Sequence, residues 1–434
     1  MRDLRRASRG ADGRLPRRLM ALTALGVLLV AITACGGDDD DSGGGADKDD
    51  KADTSLLGPK DEAKGEPVKL GMVSDGATDA FDNTDELRAA KATAEYFNKH
   101  KGGIGGRPIE VVTCETGGEP GGATECANQL VEKDVAAVAL SQSAVATSVW
   151  EPLHAAGVPT MWFQTSGQDI ILDQKDSFVL VNPLTTLFGL PISVAEEENA
   201  KKVAFVVIDV PEARQALDTL APTIFEKAGV EFDVIPIAPG TADMTAQMQE
   251  VVDSGAEVVH ITGNDAFCIA AFNGLSSVGY EGSIAVVSQC ITDATRDAVP
   301  ADVLEGTFIT ATVALKADKD PTWELYKAVM AAYGKDVTDV DNNTAMGAYT
   351  SMAALATSLQ GISGDITPES VTAAIKSMPE AELPGGGGVK FKCGGSASAM
   401  LPAVCTNEWL QTTLDDKGEP STYKAVDSTD ILPQ

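Results

Sequence analysis

Short apolar runs alternate with helical patterns along the chain from residue 68 onward. Apolar side chains at the spacing of one helix face follow Thr84, at Leu87, Ala90, Ala94 and Phe97. This spacing predicts a helix that Thr84 caps and that ends at the glycine pair 102–103. Two further helices are predicted at 123–133 and 145–156, and four buried strands at 68–73, 109–113, 135–140 and 160–163.

The same alternation begins again after residue 200. Strands are predicted at 203–208, 231–237, 258–262 and 284–287, with helices between them, and a further β run at 307–312. Three helices should follow at 321–333, 344–359 and 367–378. Pro384 and the four glycines after it interrupt the pattern, and short strands are predicted near 389–391 and 409–414.

Strands that alternate with helices imply right-handed crossovers and a parallel sheet. The two halves therefore predict an α/β fold with two doubly wound parallel-sheet lobes joined by a hinge. Ligands of open α/β sheets lie beyond the carboxyl ends of the strands, so two facing lobes form a cleft that can close by hinge motion. We assign residues 67–184 and 311–395 to lobe 1, and residues 185–310 and 396–434 to lobe 2.

Residues 1–34 have the pattern of an export signal. Seven arginines lie within the first 20 positions, and the apolar run that follows at 21–32 is shorter than the about 20 residues that span a bilayer. The segment Ile32-Thr-Ala-Cys35-Gly resembles the lipobox of bacterial lipoproteins, whose cysteine receives a diacylglyceryl group. This resemblance implies an anchor on Cys35 at the outer face of the cytoplasmic membrane; an uncleaved anchor is the alternative. Residues 35–66, rich in Asp, Gly and Lys, are predicted to form a disordered acidic tether.

The net charge excludes one class of partner. The chain carries 33 basic and 64 acidic residues, a formal charge of −31. Without residues 1–34, which contain seven Arg and two Asp, 26 basic and 62 acidic residues remain, a net charge of −36. Such an acidic surface repels phosphate backbones, so we expect no nucleic-acid partner.

Six cysteines remain when Cys35 is set aside. An even number in an exported chain predicts disulfides. The near-neighbour pairing is the simplest of the possible connectivities: Cys114–Cys126, Cys268–Cys290 and Cys393–Cys405. A zinc site is the alternative, but the sequence has no C-x-x-C motif and no histidine near a cysteine pair.

Three segments carry a resemblance to a known family. Residues 94–112, with the sequence AEYFNKHKGGIGGRPIEVV, combine a helix end, a Gly-Gly-Ile turn and a strand, and residues 135–143 and 157–160 continue the pattern. They resemble the type I periplasmic binding proteins of the Leu/Ile/Val-binding class, the substrate receptors of ABC importers. The resemblance covers about residues 68–415 and implies a small-molecule ligand in the cleft and delivery to ABC permease subunits.

The glycine turn itself has a physical explanation. A helix ends there and the chain reverses into a strand, which requires positive φ angles. A nucleotide-binding loop is the alternative, but it needs G-x-G-x-x-G after a strand and before a helix, whereas this segment follows a helix and precedes a strand.

The family resemblance implies ligand contacts in the loops after the third and fourth strands. Ser143, in the loop 141–144, would offer its hydroxyl and neighbouring backbone N–H groups to a carboxylate, since the start of a helix favours an anion. A plain helix-capping serine is the alternative. Gln164 and Ser166 fall where the family offers a backbone carbonyl and a hydroxyl to an amino acid head group, with a polar turn as the alternative. We expect Trp162 and Phe163 to belong to the core rather than to the ligand site.

The second lobe departs from the family pattern. The aromatic residues that amino acid receptors place after the first and third strands of this lobe are absent near Asp209 and Asn264. Gln289 stands where they use an acid to hold the ligand ammonium group, and a neutral amide lacks that charge-assisted bond. We nevertheless take Asp209, Asn264 and Gln289 as candidate contacts, because they lie in loops at the strand ends of the second lobe. The ligand stays open among amino acid-like, carboxylate and amide molecules, and the pattern argues against a simple α-amino acid.

Two alternative functions stay open at this stage. A ligand-sensing lipoprotein on the same fold would not be coupled to transport, since a fold does not fix a function. An exported hydrolase has less support, because the sequence lacks G-x-S-x-G and H-E-x-x-H motifs and has only three histidines: His100, His154 and His260. We expect a monomer without enzymatic activity, cofactor or metal.

Overall fold

The computed structural model describes residues 52–78, 82–209, 211–317 and 319–432. The predicted signal at 1–34, the lipidation site Cys35 and the first part of the predicted tether, up to residue 51, lie outside the described residues. Within the described ranges, no helix combines the length and the apolar character needed to cross a membrane.

The first sheet has five parallel strands in the order β2-β1-β3-β4-β5. Its elements are β1 (Val68–Ser74), α1 (Asp85–His100), β2 (Ile109–Glu115), α2 (Pro120–Glu132), β3 (Ala137–Leu140), α3 (Ala146–Ala155), β4 (Thr160–Trp162), α4 (Gln168–Ile171) and β5 (Ser177–Val179). The four strands predicted for this half are confirmed within a few residues. The sequence did not predict β5, a three-residue strand at the edge of the sheet.

The second sheet begins after a π turn at Thr185–Gly189. Its first elements are α5 (Leu190–Glu198), β6 (Lys202–Ile208), α6 (Pro211–Ala228), β7 (Glu231–Ile237), α7 (Thr245–Asp253), β8 (Val258–Thr262), α8 (Asp265–Val278), β9 (Ser283–Val287), α9 (Asp293–Ala298), α10 (Ala301–Leu304) and β10 (Phe308–Ala311). The elements that follow are α11 (Pro321–Tyr333), α12 (Asn343–Ser358), α13 (Pro368–Ser377), β11 (Ala381–Glu382), β12 (Lys390–Phe391), β13 (Glu408–Thr413) and β14 (Lys424–Asp427).

The second sheet is parallel except at one edge. Its order is β14-β13-β10-β9-β8-β6-β7, and both β13 and β14 pair antiparallel with their neighbours. The predicted doubly wound sheet is confirmed, with an antiparallel addition of β13 and β14 at one edge whose direction the sequence did not predict. The physical reason is that β13 enters the sheet from the other lobe without a crossover helix, so it can run against β10.

The chain passes between the two lobes three times among the described residues. It leaves the first sheet after β5, returns after β10, and crosses again between β12 and β13. In between, α11 and α12 pack with α1 in one apolar core on a face of the first sheet. Each sheet is covered on both faces by apolar clusters, which confirms the doubly wound architecture.

Part of the predicted tether is packed against the fold. The 3-10 turn Thr54–Leu57 places Leu57 in the apolar core at 6% exposure. The backbone N–H groups of Asp61 and Ala63 donate to carbonyls at the end of α1, at 2.9 and 2.8 Å. The fold therefore starts near residue 54 rather than at 67, because Leu57 gives this end of the acidic segment an apolar contact.

Three local predictions have clear outcomes. The turn after α1 has positive φ angles at Gly102, Gly103, Gly105 and Gly106, as predicted. Thr84, in contrast, makes no side-chain cap bond to α1; its hydroxyl donates to Asp82 at 2.7 Å. The six cysteines form the disulfides Cys114–Cys126, Cys268–Cys290 and Cys393–Cys405, which confirms the near-neighbour pairing.

Candidate ligand-binding site

A cavity of about 670 Å³ is bounded by loops of both lobes. From the first lobe it takes the loops that follow β1, β3, β4 and β5, and from the second lobe the segments at the carboxyl ends of β9 and β10. Its lining residues are Asp75, Asn83, Gln142, Ser143, Ala144, Gln164, Thr165, Ser166, Val181, Pro183, Thr186, Ser288, Gln289, Thr310, Thr312, Asn343 and Thr344. The lining is thus dominated by hydroxyl and amide groups.

The three residues proposed for the first lobe all line this cavity. Gln164 is half-buried, and its amide nitrogen donates to the side-chain oxygen of Gln142 at 2.6 Å. Its backbone N–H is held by the carbonyl of Ser141 at 3.0 Å, which fixes the loop after β4 to the loop after β3. Ser166 is exposed at the same loop. Trp162 and Phe163 are buried and belong to the core, as expected.

The hydroxyl of Ser143 forms hydrogen bonds within the protein. Its hydroxyl donates to Asp75 Oδ1 at 2.8 Å and accepts from the backbone N–H of Val145 at 3.1 Å. The backbone N–H of Ala144 donates to Asp75 Oδ2 at 2.7 Å, and Thr116 donates its hydroxyl to Oδ1 at 2.7 Å. The loop that leads into α3 therefore holds a carboxylate of the chain.

A second acid lies behind Asp75. Glu86, on the first turn of α1, is fully buried, and burial raises the pKa of its carboxyl to about 8, with the charge of Asp75 acting in the same direction. The hydroxyls of Ser74 and Ser141 act against this shift of the pKa. Among the described residues, neither carboxyl oxygen of Glu86 makes a hydrogen bond of good geometry. Burial therefore keeps Glu86 mostly neutral near pH 7.

One of the three candidates on the second lobe reaches the cavity. Gln289 is exposed on the 3-10 turn Ser288–Cys290 that follows β9, and it lines the cavity together with Ser288. The disulfide from Cys290 to Cys268 ties this turn to α8. The side-chain amide of Gln289 therefore lies on a turn that a disulfide holds in place, and it lines the cavity together with the loops of the first lobe.

The structure does not bring Asp209 and Asn264 to the cavity. Asp209 forms an ion pair with Arg214 at 3.4 Å, and its side chain is half exposed. The side-chain oxygen of Asn264 accepts from the backbone N–H of Phe267 at 3.0 Å and so caps α8. Asn264 thus has a structural role as the N-cap of α8, which is common for an asparagine at the start of a helix.

Several lining residues were not predicted from the sequence. Asp75 and Asn83 flank the loop after β1, and Asn343 and Thr344 form the start of α12. The same reasoning that pointed to Ser143 could have found Asp75, because it lies two residues beyond the first predicted strand and directly follows β1. Nothing in the sequence indicated the start of α12, since this helix returns to the first lobe only through the crossover from β10.

The histidines lie away from the cavity. His260 is fully buried on β8, and burial lowers its pKa to about 4. His100 bonds Tyr333 at 2.7 Å and His154 bonds Asp176 at 2.6 Å. None of the three lines the cavity, so they offer no general base to its serines.

A polar cavity between two doubly wound lobes defines a solute-binding architecture. Residues 67–404 match the family model described as periplasmic binding protein, and the chain belongs to this family. No curated protein matches the sequence significantly.

Solved structures share the fold at low sequence identity. One is the branched-chain amino acid transporter substrate-binding protein LivJ from Streptococcus pneumoniae in complex with isoleucine, with a TM-score of 0.59 and 17% identity over 83% of this chain and 100% of that one. An ABC transporter substrate-binding protein from Sphaerobacter thermophilus has a TM-score of 0.65 and 18% identity over 85% and 100%. A leucine-, isoleucine-, valine-, threonine- and alanine-binding protein from Brucella ovis, in a closed conformation, has a TM-score of 0.66 and 12% identity over 85% and 97%.

Proposed function

We propose that this protein is the extracytoplasmic substrate-binding component of an ABC importer. It captures a small polar molecule between its lobes and presents the closed complex to the permease subunits. A diacylglyceryl group on Cys35 holds it at the outer face of the cytoplasmic membrane. The observation that carries the proposal is the cavity, which is lined from both lobes by polar groups at the carboxyl ends of their strands.

The arrangement of the lining supports capture by closure. Gln164 and Ser166 belong to the first lobe, and Ser288 and Gln289 to the second. A ligand held by both sets gains contacts only when the lobes approach, so binding favours the closed form. The hinge for this closure would lie in the three crossings of the chain between the lobes.

A ligand screen with matched variants tests capture. The full chain, purified in detergent, is screened for metabolites that raise its thermal midpoint, since a ligand that binds only the folded state stabilises it. Gln164→Ala and Gln289→Ala should each weaken binding of the hit by roughly 3- to 10-fold, the value of one neutral hydrogen bond. Gln129→Ala and Gln249→Ala, on exposed faces of α2 and α7, are the controls and should bind like the wild type. Unchanged affinity in both cleft variants would refute the site.

The anchor and the transport step have separate tests. The wild-type protein should partition into the detergent phase after export, and Cys35→Ser should appear in the aqueous phase. Aqueous partitioning of the wild type would refute the lipid anchor. Uptake of the radiolabelled hit should fall in cells that lack this protein; undiminished uptake would favour a sensing role over transport.

A further inference from the structure

A carboxylate of the chain itself occupies the loop that leads into α3. Asp75 accepts three hydrogen bonds there, from the hydroxyls of Ser143 and Thr116 and from the backbone N–H of Ala144, all between 2.7 and 2.8 Å. Asp75 is 1% exposed and yet borders the cavity. Two donors of this loop that could serve a ligand carboxylate, the Ser143 hydroxyl and the Ala144 N–H, are therefore already engaged.

A carboxylate ligand would also meet a like charge. It would lie beside Asp75 in a partly buried place, where repulsion between two negative charges is weakly screened. Among the described lining residues, Asp75 is the only charged side chain, so no lysine or arginine there compensates a second anion. Nor is there a second acid in that lining to hold an ammonium group, since Glu86 lies behind Asp75 and burial keeps it mostly neutral.

The remaining lining suits neutral hydrogen-bonding groups. Amide side chains come from Asn83, Gln142, Gln164, Gln289 and Asn343, which each offer both a donor and an acceptor. Hydroxyl groups from Ser and Thr complete the surface on both lobes. Such a set pairs with ligand hydroxyls and amides, which also donate and accept.

We infer that Asp75 fills the anion-binding position from within the chain, and that the cleft therefore selects neutral small molecules rich in hydroxyl or amide groups over carboxylates. The inference rests on the proposed function, because it assigns a ligand class to that cavity. It makes Asp75 the residue that sets specificity, through the donors it occupies and the charge it adds.

The first experiment compares amides with carboxylates of the same skeleton, which have nearly the same shape and differ in charge. Two pairs are titrated calorimetrically into the full chain: glucuronamide with glucuronate, and butyramide with butyrate. In at least one pair the amide should bind roughly tenfold or more tightly than the carboxylate. Preference for a carboxylate would overturn the inference and would leave the proposed function standing. A failure of every member to bind counts against the assigned ligand class.

The second experiment probes Asp75 without any organic ligand. Asp75→Ala vacates the carboxylate position and should lower the thermal midpoint, and formate should restore part of that loss in a saturable way. Formamide, which has nearly the same shape as formate but no charge, should not restore the thermal midpoint of Asp75→Ala. Asp75→Asn, which keeps the space filled, and the wild type are the controls. In both, formate should change the thermal midpoint no more than chloride does at the same ionic strength.

The outcomes of the two experiments separate the claims. An Asp75→Ala protein that ignores formate, or a wild type that formate stabilises equally, would overturn the role of Asp75. If Asp75→Ala does not fold, Asp75→Ser takes its place, because its hydroxyl leaves most of the space open. If formate restores the stability of Asp75→Ala but the screen finds no ligand of any class, the role of Asp75 is retained. The missing ligand then counts against the proposed function.

Discussion

Glu86 gives the sharpest test of the electrostatics around the cleft. Its carboxyl is fully buried on α1, and burial raises its pKa from 4.5 to about 8. Replacing Glu86 with Gln keeps the size of the side chain and removes the proton that titrates. The difference in unfolding free energy between wild type and Glu86→Gln therefore isolates this one group.

The sign and the size of the effect follow from linkage. Between pH 4.5 and 8 the unfolded chain releases the proton of Glu86 and the folded protein keeps it, so the unfolded state binds fewer protons and stability falls as the pH rises. Below pH 4.5 both states are protonated and the loss is absent. At about 1.4 kcal/mol for each pKa unit, the whole loss has a ceiling of about 5 kcal/mol, complete above pH 8.

Urea unfolding at pH 5, 6, 7 and 8 measures the prediction. Glu86→Gln should lie close to the wild type at pH 5 and become progressively more stable than the wild type toward pH 8. Glu95→Gln is the control, because Glu95 lies on the same helix with a half-exposed side chain. Stability differences for Glu86→Gln that do not change with pH would refute the view that this carboxyl is neutral in the folded protein.

Three further predictions concern packing, capping and cross-linking. Gly347→Ala should lower the unfolding free energy by about 1–3 kcal/mol, because a Cβ there would lie 2.5 Å from a serine hydroxyl. Gly121→Ala is the control and should be tolerated, because the space around Gly121 is open; thermal unfolding compares the two variants. Asn264→Ala should cost about 1 kcal/mol of stability through loss of the α8 cap and leave ligand affinity unchanged, as calorimetry on the same preparation would show. Replacing both Cys268 and Cys290 with Ser should cost about 3 kcal/mol in urea unfolding, and a variant as stable as the wild type would contradict this.

The alternation of apolar runs and helical spacing was enough to predict most of the fold. Strands β6 to β9 match their predicted bounds within one residue. For β6, β8 and β9 the reason is that largely buried parallel strands read as continuous apolar runs. The short edge strand β5 and the antiparallel β14 were missed. Each has three or four residues, and β14 is largely exposed, so its sequence shows no apolar run that periodicity could detect.

The candidate site was predictable only where the family resemblance points to loops beyond strand ends. The resemblance led to Ser143, Gln164, Ser166 and Gln289, which line the cavity. The same resemblance led to Asn264, which instead caps a helix, since a residue after a strand can serve either the ligand or the next helix. No local pattern could show that Asp75 reaches the donors near Ser143, because these residues are 68 positions apart and meet only through the pairing of β1 with β3.

The disulfides connect the stability of the fold to the shape of the cleft. Cys114 is the penultimate residue of β2 and lies two residues before Thr116, whose hydroxyl donates to Asp75; its partner Cys126 lies on α2. Cys290 directly follows Gln289, and its partner lies on α8. A cross-link therefore stands beside a wall of the cavity on each lobe. Holding polar groups in place before a ligand arrives reduces the entropy that binding must overcome, so we expect these two bonds to favour ligand binding as well as folding.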